Sequence, residues 1–254
     1  MTFATPGRTC AAHHRGRMAT ALCLAATCAL ASCGPGVATP IPEPPTFKIG
    51  RIGPPAQLEV TATPDGGRRI HGESGAAPGG AQLQVTNLDR VDSAVFSNVR
   101  PDGSFDLNIV VNQGDELRFD WLRGTERGIP EDAHFVLDLD PGLFHFEPSE
   151  RFACLKVTPV LALDFSAAAE QSLQVENECS FNVSFDSART RLGSTEFSVK
   201  TQLPLAIPAQ AAAELQVLFA RTQPGAREDT LFLDVTGDTR VIRYPVTLAA
   251  PASQ

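Results

Sequence analysis

Leu231-Phe232-Leu233-Asp234-Val235-Thr236-Gly237-Asp238-Thr239-Arg240-Val241-Ile242-Arg243-Tyr244-Pro245-Val246-Thr247-Leu248 reads as two alternating runs joined by a turn. Leu231, Leu233 and Val235 recur at every second position, and so do Ile242, Tyr244, Val246 and Leu248. Successive side chains of a strand point to opposite faces, so each set lies on one face of a sheet. Gly237-Asp238 has the composition of a tight hairpin.

The same period continues outward. Leu215, Val217 and Phe219 alternate, as do Phe197 and Val199 after the Gly193-Ser194 turn, and Phe181, Val183 and Phe185. Leu173 and Val175 precede them, with Leu155, Val157, Leu161, Leu163 and Phe165 further back. Nearer the N-terminus, Leu58 and Val60 alternate, followed by Leu83, Val85 and Leu88, then Val91 to Val99. Phe105, Leu107 and Ile109 come next, then Leu117, Phe119 and Trp121, and a last run through Phe135, Val136, Leu137 and Leu139. Pro64-Asp65-Gly66-Gly67, Pro78-Gly79-Gly80, Pro101-Asp102-Gly103 and Gly114-Asp115 punctuate these runs as turns. No window carries a sustained helical stripe. The spacing is that of β-sandwiches, and the expected fold class is all-β. Asp140-Pro141-Gly142 and Glu147-Pro148 mark a junction between two strand-rich units. Trp121 and Tyr244 fall on apolar faces, which suits core positions.

Two resemblances refine this reading. Residues 72–87, then Asp102-Gly103-Ser104-Phe105 and Gly114-Asp115-Glu116-Leu117, resemble bacterial immunoglobulin-like domains, with a small-residue turn, an alternating strand and a following hairpin. The antibody cysteine pair is missing from this unit, and its tryptophan lies late. The second unit resembles Hydin-type immunoglobulin-like domains, akin to major sperm protein domains. Pro159 to Phe165, Leu173-Gln174-Val175-Glu176-Asn177, Glu196-Phe197-Ser198-Val199 and Pro204 to Ala209 carry that likeness, together with Leu215 to Phe219, Pro224-Gly225 and Asp229 to Leu233. The resemblances imply two immunoglobulin-like β-sandwich domains at 56–141 and 150–254, used for assembly and binding, with no catalytic residue to carry over.

The N-terminal region has a different character. Arg8, Arg15 and Arg17 precede an apolar run from Met18 to Leu30, too short for the roughly 20 residues of a membrane-spanning helix. Leu30-Ala31-Ser32-Cys33 closes that run and resembles the lipobox of bacterial lipoproteins; an ordinary secretory signal is the other reading. The resemblance implies a lipoprotein signal peptide over 1–32 and acylation of Cys33. Gly34, where aspartate would retain the chain in the inner membrane, implies the outer membrane. A stretch rich in proline, from Pro35 to Pro55, reads as a solvated, extended tether, so 33–55 holds the lipidated cysteine and a stalk.

Beyond position 32 stand 18 basic and 29 acidic residues, a net charge of −11. That balance argues against nucleic acid, whose phosphates need clustered lysine and arginine, and against a basic strip for anionic headgroups. Cys154 and Cys179 follow Cys33 as the remaining cysteines. Export permits a disulfide between them, which would constrain the unfolded chain by roughly 3 kcal/mol; two buried thiols are the alternative. His71, His134 and His145 lack zinc-ligand spacing, and no serine sits in a nucleophile elbow. Glu131-Asp132 and the Asp138/Asp140 pair offer carboxylates. The latter straddle Leu139 on one strand face, where either calcium or plain solvation fits them. Asn182-Val183-Ser184 is a sequon by pattern alone. No cofactor or metal is expected, and no catalytic group. The expectation is a non-catalytic lipoprotein anchored in the bacterial outer membrane, presenting two domains to a protein partner in the envelope. A surface adhesin or glycan-binding lipoprotein is the alternative.

Overall fold

The structure is a computed structural model that describes residues 58–124, 126–137 and 144–252. Among these the chain is all-β, with eighteen strands in four sheets. The described residues belong to one compact unit, Glu43–Gln254. The first half holds β1 (Leu58–Ala62), β2 (Arg68–Gly72), β3 (Gln82–Asn87), β4 (Val95–Asn98) and β5 (Phe105–Ile109). β6 (Glu116–Arg123), β7 (Glu126–Arg127), β8 (Glu131–Leu137) and β9 (Phe144–Pro148) complete it. They form a three-stranded sheet, β1-β2-β5, and a second in the order β4-β3-β6-β8-β9, with β7 pairing β6.

The second half begins with β10 (Leu155–Thr158), β11 (Leu163–Asp164), β12 (Glu170–Asn177), β13 (Val183–Thr190) and β14 (Phe197–Val199). β15 (Leu205–Ile207), β16 (Ala211–Phe219), β17 (Arg227–Gly237) and β18 (Arg240–Ala250) follow. One sheet runs β10-β12-β16-β14, the other β11-β18-β17-β13-β15. Only β11 with β18 is parallel among the described pairs; every other pair is antiparallel.

Each half encloses its own hydrophobic core, and both sheets of the half contribute to it. In the first lobe Ile70, Phe105 and Leu107 meet Leu83, Val85, Phe119, Trp121 and Phe135. In the second, Leu173, Val175, Leu215 and Val217 meet Phe185, Leu231, Leu233 and Leu248. Fully burying a Leu or Phe side chain contributes roughly 1.5–3 kcal/mol, so each lobe has a substantial core of its own. The alternating residues of the sequence occupy these positions, Trp121 among them; Tyr244 packs half-buried against the second core.

Two local expectations change. The run from Val91 to Val99 forms a strand only over Val95–Asn98. Ahead of it the Asn87 side chain accepts the N–H of Asp89, and the carbonyls of Arg90 and Asp92 accept Arg191, which diverts the segment into a loop and leaves Val91 exposed. In the β17–β18 hairpin, Gly237 pairs with Arg240, so the loop residues are Asp238 and Thr239 rather than Gly237-Asp238. Both have positive φ, 47° and 63°, as a two-residue type I′ turn requires. Gly237 is constrained instead by packing: a Cβ there would lie 2.9 Å from the Phe181 ring.

Candidate functional site

The main gathering of charged groups lies between the two lobes. On β6, Leu117, Phe119 and Trp121 enter the first core, which turns Glu116, Arg118 and Asp120 to the opposite face. Those three are only 2%, 3% and 1% exposed. They are covered by the β17–β18 hairpin, whose Leu231, Leu233, Ile242 and Val246 enter the second core while Phe232, Arg243, Pro245 and Thr247 look outward from it. Two sheets thus pack face to face through their polar sides.

Arg118 is the hub. Its Nε and Nη2 donate to the two carboxylate oxygens of Asp132 at 2.8 and 2.9 Å. Its Nη1 donates to Thr247 Oγ1 at 2.9 Å and Nη2 also to Pro245 O at 2.8 Å, both across the joint. Arg243 reaches back from the second lobe to Glu116 at 2.6 Å and to Asp89 at 2.6 Å. Arg151, in the connection between the lobes, bridges Glu116 at 2.7 Å and Asp132 at 3.0 Å. At the other rim Arg127 spans Asp120, at 3.2 Å, and Glu228, at 3.1 Å, while Gln84 donates to Glu228 at 2.9 Å. Phe232 is buried between the guanidinium groups of Arg189 and Arg243, 4.6 and 4.8 Å from its ring centroid.

Four arginines therefore face five carboxylates, and the protonation behaviour follows that imbalance. Burial pushes the Asp132 and Glu116 carboxyls up, but Arg118 and Arg151 beside Asp132, and Ser149, Arg151 and Arg243 beside Glu116, outweigh it and hold both below the usual range. Burial would lower the Arg118 guanidinium, yet Asp132, Asp120 and Glu116 leave it raised. Asp120 goes the other way. Burial raises it, Arg118 and Arg127 compensate incompletely, and the charges of Glu228 and Asp132 add to the rise.

A second contact closes the joint at its edge. Arg191, at the end of β13, donates Nη1 to the carbonyls of Arg90 at 2.6 Å and Asp92 at 3.0 Å. Its backbone N–H donates to Thr230 O, and that of Leu192 to the Asp229 carboxylate.

The residues singled out from sequence are scattered by comparison. Cys154 and Cys179 form a disulfide beside the β10–β12 pairing, where Glu178 N–H also donates to Cys154 O. Cys33, Asp138 and Asp140 lie outside the described residues. His71 shares the Asp106 carboxylate with Arg69 and Arg100; burial raises that group, but the three donors bring it down to about 2. His134 and His145 lie on β8 and β9, facing away from the core that takes Phe135 and Phe146. Of the adjacent carboxylates, Asp132 belongs to the joint. Among the described residues no three of His, Cys, Asp and Glu come together to hold a metal, and no helix is long and apolar enough to cross a membrane.

Sequence reasoning missed the joint because Glu116, Arg118 and Asp120 alternate with core residues as a solvated face would. One signal was present. Phe232 interrupts the polar side of β17, and Pro245 that of β18, so the outward face of the hairpin is not wholly polar.

No protein-family model matches the chain, and no curated protein is similar to it in sequence. Among solved structures it is similar to the VesB protease of Vibrio cholerae, at 7% identity and a TM-score of 0.34, over 68% of this chain and 62% of that one. A protein of unknown function from Porphyromonas gingivalis W83 matches at 12% identity and a TM-score of 0.32, over 80% of this chain and 98% of that one. The BSP domain of a biofilm-associated protein matches at 11% identity and a TM-score of 0.22, over 81% of this chain and 30% of that one. The chain thus spans less than two thirds of the length of the protease.

Proposed function

We propose that this protein is a non-catalytic lipoprotein of the bacterial outer membrane, tethered through Cys33, that presents two immunoglobulin-like β-sandwich domains to a protein partner in the cell envelope. One observation supports this most. Glu116, Asp120 and Asp132, at the centre of the richest chemical cluster among the described residues, are bonded to arginines and largely covered by the opposing sheet, so they serve to hold two lobes as one body. What such a body offers a partner is backbone at sheet edges and loops, since fold by itself does not define function. The basic leader followed by Leu30-Ala31-Ser32-Cys33 supports the anchor. Two or three acyl chains would hold it stably, where one holds only marginally.

Crosslinking in intact envelopes, followed by purification of the chain, tests the reading. A discrete protein adduct that survives stringent washing is expected; adducts no more frequent than with an unrelated lipoprotein would overturn it. Radioactive palmitate is expected to label the wild type and not Cys33→Ala, and label on the variant would remove the anchor.

A further inference from the structure

Two strand edges of the second lobe open into one cleft. β15 covers β13 only at Val183–Phe185, and the β13–β17 register shifts between Phe185 and Ser187. From Ser187 to Thr190 β13 is paired on the β17 side alone. Bonded pairs alternate along an antiparallel ladder. Arg191 N–H donates to Thr230 O, so Arg189 turns its backbone to β17, while Ala188 and Thr190 turn theirs to the open side. There the Thr190 carbonyl accepts Gly193 N–H, which leaves the Thr190 amide and both backbone groups of Ala188 for a new strand. The same reasoning applies to β14. Lys200 N–H donates to Gln216 O and Ala220 N–H to Glu196 O, which leaves Phe197 and Val199 directed away from β16. Both edges line a cleft of about 440 Å³ with Leu203 and Leu231 among its apolar walls.

Its charge is equally specific. No acidic side chain lines the cleft, although the chain carries a net charge of −8. Arg189 stands at its rim and makes no ion pair among the described residues; its guanidinium rests on the Phe232 ring. Arg189 pairs with Phe232, whose face is that of the joint, whereas Ala188 and Thr190 pair with the core residues Leu233 and Leu231. A strand laid beside β13 would therefore show one face to the cleft and the other to Arg189.

We propose that this cleft receives an extended segment of a partner protein, which adds as a strand along Ser187–Thr190. Its apolar side chains alternate into the cleft toward Leu203 and Leu231, and a carboxylate on its other face pairs with Arg189. The open edge is about 13 Å long and accommodates about four residues. The inference rests on the interaction reading above and gives the partner's conformation and charge.

The test uses the whole chain and a synthetic peptide that alternates valine with threonine and carries one central glutamate. At millimolar peptide the amides of Ala188 and Thr190 are expected to exchange hydrogen several-fold more slowly, and unchanged exchange overturns the proposal. Ala188→Pro removes a donor on the open side and leaves the β17 ladder intact; about fivefold weaker binding is expected, the effect of one hydrogen bond. Unchanged exchange at Leu173 and Leu215 confirms that the variant folds. If it does not fold, Arg189→Glu carries the test, again with about fivefold weaker binding expected. Undiminished peptide binding to the variant that folds overturns the proposal. In envelopes, partner capture that persists with Ala188→Pro overturns the cleft and spares the interaction reading. Capture absent from the wild type removes that reading, while peptide protection still decides the cleft.

Discussion

The two hydrophobic cores and the joint between them are built by the same strands with opposite chemistry. On β6, Leu117, Phe119 and Trp121 go to a core, and Glu116, Arg118 and Asp120 go to the joint. A core is held by area removed from water and accepts many apolar substitutes of similar volume. The joint is held by directed bonds from Arg118, Arg151 and Arg243, each with a required acceptor. A buried ion network contributes little net stability compared with apolar packing, yet breaking it leaves charge stranded. The cores therefore provide stability, and the joint fixes how one lobe is set on the other.

The sharpest way to break this contrast is Arg118→Ala. It leaves Asp132 with Arg151 as its remaining arginine and removes two bonds to the opposite lobe, and is expected to lower the unfolding free energy by about 3 kcal/mol, as large as a core truncation such as Leu173→Ala. Urea denaturation measures both. Double variants separate them: Arg118→Ala with Asp132→Ala is expected to fall well short of the sum of its parts, whereas Arg118→Ala with Leu173→Ala adds. Additivity in the first pair would show that the joint is no network.

Next in size is the disulfide, which concerns the second core alone. Replacing Cys154 and Cys179 by alanine releases a sequence separation of 25 and is expected to cost about 3 kcal/mol. Contacts at the joint should persist, read as unchanged crosslinking between cysteines introduced at Gln84 and Glu228. Loss of that crosslink would mean that joint and core fail together.

Acid should act on the joint before the cores. The carboxyls of Asp132, Glu116 and Asp89 are depressed in the folded state, so the stability they contribute is complete above the ordinary carboxylate range near pH 4 and is lost as pH falls below it. Asp120 has the opposite sign. Its raised carboxyl favours the folded state when protonated and weakens it as pH rises. At pH 7, Asp132→Asn is expected to destabilise by about 2–3 kcal/mol and Asp120→Asn to be neutral or to stabilise by about 1 kcal/mol. Equal losses in calorimetry would refute the assignment of the surplus carboxylate to Asp120.

The smallest expected effect lies at the turn, away from both regions. Thr239 is β-branched with positive φ, an uncommon and strained combination. Replacing Asp238-Thr239 by Asn-Gly is expected to stabilise the hairpin by about 1 kcal/mol; a lower melting temperature would show that the turn adopts another geometry.

Much of the fold was legible from period-two patterning, because a core selects apolar residues and a strand repeats every second one. Leu231, Leu233 and Val235 needed no further information. The joint was hidden for the same reason. Alternate polar residues read as a wet face whether water or another sheet covers them, and only partner strands far apart in sequence, such as β6 and β18, decide between the two. Arg243 finds Glu116 and Asp89 across a separation of more than a hundred residues, which no local pattern records. The cleft was hidden differently: it depends on where β15 stops pairing, a property of backbone rather than of side-chain type.

The β17–β18 hairpin has a consequence for sequence drift. Along much of its length neither face is turned to water, so neighbouring codons answer to different masters. A change at Ile242 or Val246 is judged by the second core, and one at Arg243 or Thr247 by the first lobe. A saturation library should find few permissive positions along this ribbon outside its tip, where Val241 is 70% exposed. On β12 and β16, whose burial alternates with exposure, every second position should tolerate change. Descendants of this chain would then vary freely in β12 and β16 while repeating this hairpin almost letter for letter.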